Sequence, residues 1–176
     1  ANGLAVHGGR LATAAVAKSQ INYGGGSLPA VTMPNDINSV VGVFGISSPT
    51  PTFQSAFSIH GTPSPNIDRV KRLAMDHQSL LVVGETQSST LKIGSSTLNI
   101  VGTPDAFIAR YDDKQQPVWA IRVGVMGEQT STRAAVLAPG GSAVVAGCFG
   151  GTIAFDPMTK LVSKGKDDVF IVKLAP

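Results

Sequence analysis

The sequence predicts an all-β protein made from a repeated sheet. Three observations lead there. Short, apolar, β-branched runs are separated by turn residues. Helical periodicity does not persist over a useful length. Two separate segments recur at one spacing.

Taken in order, the first 19 residues lack the charged start and continuous apolar core of a signal peptide. The Ala-rich run 11–17 fits a helical turn or a strand. The nearest rival to a strand elsewhere is 70–75, which is too short for a helix. Leu80-Leu81-Val82-Val83, Ala143-Val144-Val145-Ala146 and Val169-Phe170-Ile171-Val172 read as strands. Along 118–123, alternation puts Trp119, Ile121 and Val123 on one face. Pro63-Ser64-Pro65, Asp112-Asp113-Lys114 and Pro139-Gly140-Gly141 mark turns between the runs.

Composition narrows the class. Charged residues make up 14% and hydrophobic residues 43% of 176, which excludes a disordered, highly charged chain. The net charge of +3 comes with no basic run long enough to track a phosphate backbone. One cysteine excludes an internal disulfide framework and a Cys-cluster metal site. No apolar stretch approaches the ~18 residues of a membrane-spanning helix.

The repeat sets the architecture. Gly84 after 80–83 and Gly147 after 143–146 are 63 apart, as are Asp105-Ala106-Phe107-Ile108-Ala109-Arg110 and Asp168-Val169-Phe170-Ile171-Val172-Lys173. The segment 72–76 is set 63 before 135–139. A partial copy at the front places 20–28 against 90–98 and Asp36 against Asp105. A unit of this length with four or more strands is too large for a solenoid rung and suits a four-stranded antiparallel propeller blade. The expected organisation is one β-propeller segment: 1–50 a partial blade, 51–114 a blade and 115–176 a blade. That is an incomplete ring of about 2.5–3 blades, where closed rings have about four to eight. The chain is expected to begin at a blade's third strand and to be a fragment of a longer polypeptide or one partner in a ring.

The segment from Asp105 to Leu174 resembles the bacterial SBBP-type β-propeller repeat, with Phe107, Arg110, Trp119, Val136, Gly141, Val145, Gly147, Phe170 and Lys173 at matching places. The likeness covers 53–176 well and 1–50 loosely, with Asn38 where Phe is expected and Val41 where Lys or Arg is. It implies a bacterial extracellular or envelope location and a binding or surface role, with no shared reaction.

Each candidate for chemistry has a plainer reading beside it. Asp36, Asp105 and Asp168 suit a carboxylate ring, or turn residues accepting backbone N–H bonds. Asp112-Asp113 lacks the rest of a calcium loop and reads as a turn between blades. His7, His60 and His77 are scattered, and His77 reads as exposed. Cys148 has no local base and reads as a small buried or half-buried thiol. Gly24-Gly25-Gly26 has no Lys-Ser/Thr after it and reads as a turn. Trp119 suits a sugar platform or packing between blades. Catalytic, metal and cofactor sites are therefore expected to be none, with no cofactor and an unknown ligand site.

The leading expectation is a non-catalytic exported module for protein interaction, adhesion or surface assembly. Its partners are other protein chains or missing blades of the same polypeptide, including a homo-oligomer, with no nucleic acid and no membrane span. Two alternatives stand beside it. One is a fragment of a propeller hydrolase or lyase with its site in missing blades. The other is a structural subunit completing a ring or filament.

Overall fold

The structure is a computed structural model that describes residues 2–18, 21–24, 37–62, 67–101, 104–124, 128–156 and 158–176. Among the described residues there is no helix, and sixteen strands form antiparallel sheets. The all-β expectation holds. The described sheets do not close into a ring.

Sheet 1 is a four-stranded meander of β1 (Gly3–His7), β2 (Arg10–Ala17), β3 (Asn38–Gly45) and β4 (Thr52–Ile59). The ambiguous run 11–17 is thus a strand. Its hairpin to β1 turns at Gly8-Gly9, where both φ values are positive at 56° and 74°. A two-residue turn of that kind matches the strand twist and strongly favours glycine. After β5 (Gly61–Thr62), sheet 2 opens with β6 (Asp68–Met75) and β7 (Ser79–Thr86). The chain leaves it for the hairpin β8 (Thr90–Ile93) and β9 (Ser96–Asn99), then returns with β10 (Asp105–Asp112) and β11 (Pro117–Val123). Sheet 3 repeats the course with β12 (Thr130–Leu137), β13 (Ala143–Phe149), the hairpin β14 (Thr152–Ala154) and β15 (Lys160–Val162), and β16 (Asp168–Leu174).

Pairing corrects the phase of the repeat. The aspartate strand is the third strand of its sheet, and in sheets 1 and 2 a fourth follows it. The four-stranded units run 3–59 and 68–123, and the three strands of the next run 130–174. These differ from the blades expected at 1–50, 51–114 and 115–176. The front of the chain supplies the first two strands of sheet 1, so it does not enter at a third strand. Asp36 falls outside the described residues. Asn38 pairs with Ala17 as Asp105 pairs with Thr86, so Asn38 holds the aspartate position two residues later than expected. That shift puts Val40 opposite Phe107 and Val41 opposite Ile108 in the repeat. The departures from the repeat therefore stand at Val40, where Phe is expected, and at Val43, where Lys or Arg is, and not at Asn38 and Val41. The first strands are 62 apart, since Met75 pairs with Leu80 and Leu137 with Ala143; the Pro139 turn holds one more residue.

The sheets stack face to face with sheet 2 in the middle. Leu80, Val82, Phe107 and Tyr111 face sheet 1, in one core with Ala12, Ala14, Val41 and Val43. Leu81, Val83, Ala106 and Ile108 face sheet 3, in a second core with Ala143, Val145 and Phe170. The side-chain period of two explains why the middle of β7 (80–83) and of β10 (106–109) is apolar on both faces: both are covered. The first strands β1, β6 and β12 lie side by side, while the hairpin β8–β9 contacts the outer strands β4 and β11. Trp119 and Ile121 pack half-buried on the core between sheets 2 and 3, and Val123 is buried there. Trp119 thus takes its packing reading.

Polar contacts pin the stack. Ser39 Oγ donates to Asp68 O at 3.1 Å and accepts from Val70 N at 2.7 Å, tying β3 to β6. Arg110 Nη1 donates to Gly141 O at 2.6 Å, so the basic residue of the repeat holds the turn of the next sheet.

Candidate functional site

The aspartates are scaffold. Asp105 Oδ2 accepts from Val101 N at 2.8 Å, and Asp168 Oδ2 accepts from Lys164 N at 2.6 Å, the same reach of four residues in both copies. Arg122 lies 3.3 Å from Asp105. Sequence reasoning missed Asp68, which is fully buried at the start of β6. Its carboxylate accepts from Gly61 N at 2.6 Å and from the hydroxyls of Thr86 and Ser88. A buried carboxylate with this many donors is satisfied and anchors its strand. Asp112 Oδ1 accepts from Lys114 N at 2.9 Å and Gln116 N at 2.7 Å, closing the turn from β10 to β11. The Asp112-Asp113 turn therefore lies within a sheet and does not link two blades.

Gly24, with φ 93°, donates its N–H to Asn22 Oδ1 at 2.7 Å, as in a turn; Gly25 and Gly26 fall outside the described residues. Cys148 is half-buried on the face of sheet 3 that points away from sheet 2. His60 is exposed. Among the described residues, no three His, Cys, Asp or Glu side chains gather where they would hold one metal ion. No described helix is long and apolar enough to cross a membrane.

Two features gather at the ends of the first strands. At the turn end, the fold brings His7 and His77 together with ring centroids 4.2 Å apart and planes perpendicular. They are not scattered, although His77 is exposed as expected. His7 Nε2 is buried with no hydrogen-bond partner among the described residues. The rings border a cavity of about 520 Å³ with Asp76, Leu137 and Gly140. Partial burial works to raise the Asp76 carboxyl, but N–H bonds from Gln78 and Ser79, the Ser79 hydroxyl and the Arg110 charge outweigh it and leave it lowered.

At the opposite end, a cavity of about 670 Å³ is lined by Lys18, Arg69, Lys71 and Arg72, with Asn2 and Ile37. Glu85 pairs with Lys71 at 2.7 Å. Arg72 Nη1 donates to Lys71 O at 2.6 Å. Register shifts between Val70 and Arg72, a bulge that re-aims this basic segment. The signal was present in sequence as Arg69-Val70-Lys71-Arg72, three cations in four residues. What sequence could not show is that Lys18, distant in the chain, joins them. Here cations outnumber the neighbouring carboxylate, so the cavity favours an anionic group.

No family model matches this sequence, and no curated protein is detectably similar to it.

Proposed function

We propose that the chain is part of an SBBP-type β-propeller, an exported, non-catalytic module within a larger protein or complex. In this reading it presents the basic end of its first strands to an acidic segment of a protein partner. The observation that carries the binding reading is the cavity of Lys18, Arg69, Lys71 and Arg72, where Glu85 is the neighbouring counter-charge. The stacked sheets with adjacent first strands support the propeller reading, since a blade covers its two apolar faces only by stacking on neighbours. An extracellular or envelope location belongs to the same proposal and rests on the repeat resemblance alone.

A fluorescent oligo-glutamate peptide tests the binding reading by anisotropy. Binding should weaken steeply with salt, because exposed charges are screened beyond about 10 Å at 0.1 M. It should be lost in the double variant Arg69→Ser, Arg72→Ser. Equal binding of that variant would reject the basic end as the partner site. Electron micrographs of the native particle test the ring: four or more spokes support the propeller, and a lone three-sheet particle rejects it.

A further inference from the structure

The two outer faces of the stack are the two halves of the contact that already joins its sheets. Val169 and Ile171 on β16 are 70% and 72% exposed, whereas their repeat equivalents Ala106 and Ile108 are 0% exposed beneath sheet 3. At the other end, Leu4 and Val6 on β1 are 64% and 56% exposed. The register makes Leu4 the equivalent of Leu73, since Leu4 pairs with Thr13 and Leu73 with Val82; Leu73 is 6% exposed beneath sheet 1. Val6 likewise corresponds to Met75, which packs on that core. Even the side filling agrees. Leu91 and Ile93 of the β8–β9 hairpin lie in the core between sheets 1 and 2, and Tyr23 of the first repeat lies over Gly42 and Phe44 on the outer face of sheet 1.

We infer that sheet 3 of one copy packs on sheet 1 of a second copy, head to tail, in the geometry by which sheet 2 packs on sheet 3. The occupant of each outer face is thus the opposite outer face of another copy. Continuity with the two internal contacts argues for this pairing: the equivalent apolar side chains are buried wherever a following sheet is present. Lys173, equivalent to Arg110, would reach the Gly8-Gly9 turn of the next copy as Arg110 reaches Gly141. Such a contact is heterologous, so it propagates to a ring where the rotation closes and to a filament where it does not. The ring outcome rests on the propeller reading; the contact itself does not.

Two variants and one native probe test it. Ile171→Lys blocks one face and Leu4→Glu blocks the other, both at exposed positions that leave the internal cores intact. Burying an unpaired charge should weaken association by about a hundredfold or more. The wild-type chain should associate with rising concentration by light scattering, and each variant alone should stay near the 18.1 kDa of one chain. Mixed, the variants should form a one-to-one pair and nothing larger, because each keeps the face the other lacks. Cys148, the one cysteine, lies on the outer face of sheet 3, so its maleimide labelling should slow as wild-type copies associate. A wild-type chain that remains monomeric with rapidly labelled Cys148 would overturn the inference. So would association of Leu4→Glu alone with Cys148–Cys148 cross-linking, which signals a face-to-same-face dimer. Neither result bears on the spoke count that decides the propeller reading.

Discussion

Sheets 2 and 3 and sheet 1 solve one packing problem in two ways. In sheet 2, Gly84 faces Phe107 across the pair of middle strands, and in sheet 3 Gly147 faces Phe170. A Cβ at Gly84 would meet Arg69 O at 2.1 Å and the Phe107 ring at 2.7 Å; at Gly147 it would meet Ser131 O at 2.2 Å and the Phe170 ring at 2.6 Å. The same position in sheet 1 holds Ala15 facing Val40. The cause lies in the neighbouring first strand. β6 and β12 each carry a register shift beside this point, whereas the described pairing of β1 with β2 ends at Gly3 and Ala14, one residue short of Ala15. Where the first strand bulges, its carbonyl crowds the second strand and only glycine fits, leaving room for phenylalanine to cover it. In sheet 1, where the described first strand stops short of this point, a methyl and an isopropyl group share the space. The repeat therefore preserves a backbone path and a shared volume, with the residues free to change in concert.

The sharpest way to break this comparison is to remove the ring. Phe107→Ala should cost about 4 kcal/mol in denaturant unfolding, because it empties a fully buried site. Val40→Ala should cost less than half of that, since only about two methylene equivalents leave the core. Next is Gly84→Ala, expected to destabilise by about 3 kcal/mol through overpacking against backbone. Adding Phe107→Val, which copies the sheet 1 pair into sheet 2, should fail to restore it. Full rescue in that double-mutant cycle would show that the ring, and not the Arg69 carbonyl, demands glycine. In contrast, Ala15→Gly should cost only about 0.5–1 kcal/mol, the ordinary penalty of glycine in a strand.

The smallest effect concerns the turns. Sheet 1 turns on Gly8-Gly9, whereas sheet 2 turns on Asp76, whose Oδ1 accepts from Gln78 N at 2.8 Å and Ser79 N at 2.7 Å. The Asp76 carboxyl is lowered on folding, so its contribution is present at neutral pH and fades as pH falls below about 4 through its folded value. Asp76→Asn should lower stability by about 0.5 kcal/mol near neutrality, discounted for solvent screening, and flatten the acid limb of the unfolding profile. An unchanged acid limb would assign the turn's stability to its backbone alone.

Much of the fold was legible because β structure writes a period of two and the repeat writes a longer one. The alternation at 118–123 placed Trp119, Ile121 and Val123 on the face that packs toward sheet 3. Asp105 and Asp168 were legible as turn anchors because a carboxylate ahead of a strand has nearby N–H groups to accept. The basic cavity was only half legible: 69–72 is a local signal, but Lys18 reaches it from the end of another sheet's strand. The His7–His77 contact was not legible, since its members close different turns in different sheets.

By itself the sequence determined the class, several of the strands and the main spacing of the repeat, because these depend on side-chain order along the chain. Tertiary structure decided the phase. Whether a unit begins at Gly3 or at a later strand depends on which strands share hydrogen bonds, and a periodic sequence is silent about where its period starts. Stacking then decided which equivalent residues are core and which are surface. Ile108 and Ile171 stand at the same place in the repeat, yet one is buried and the other exposed, because burial depends on the neighbouring sheet.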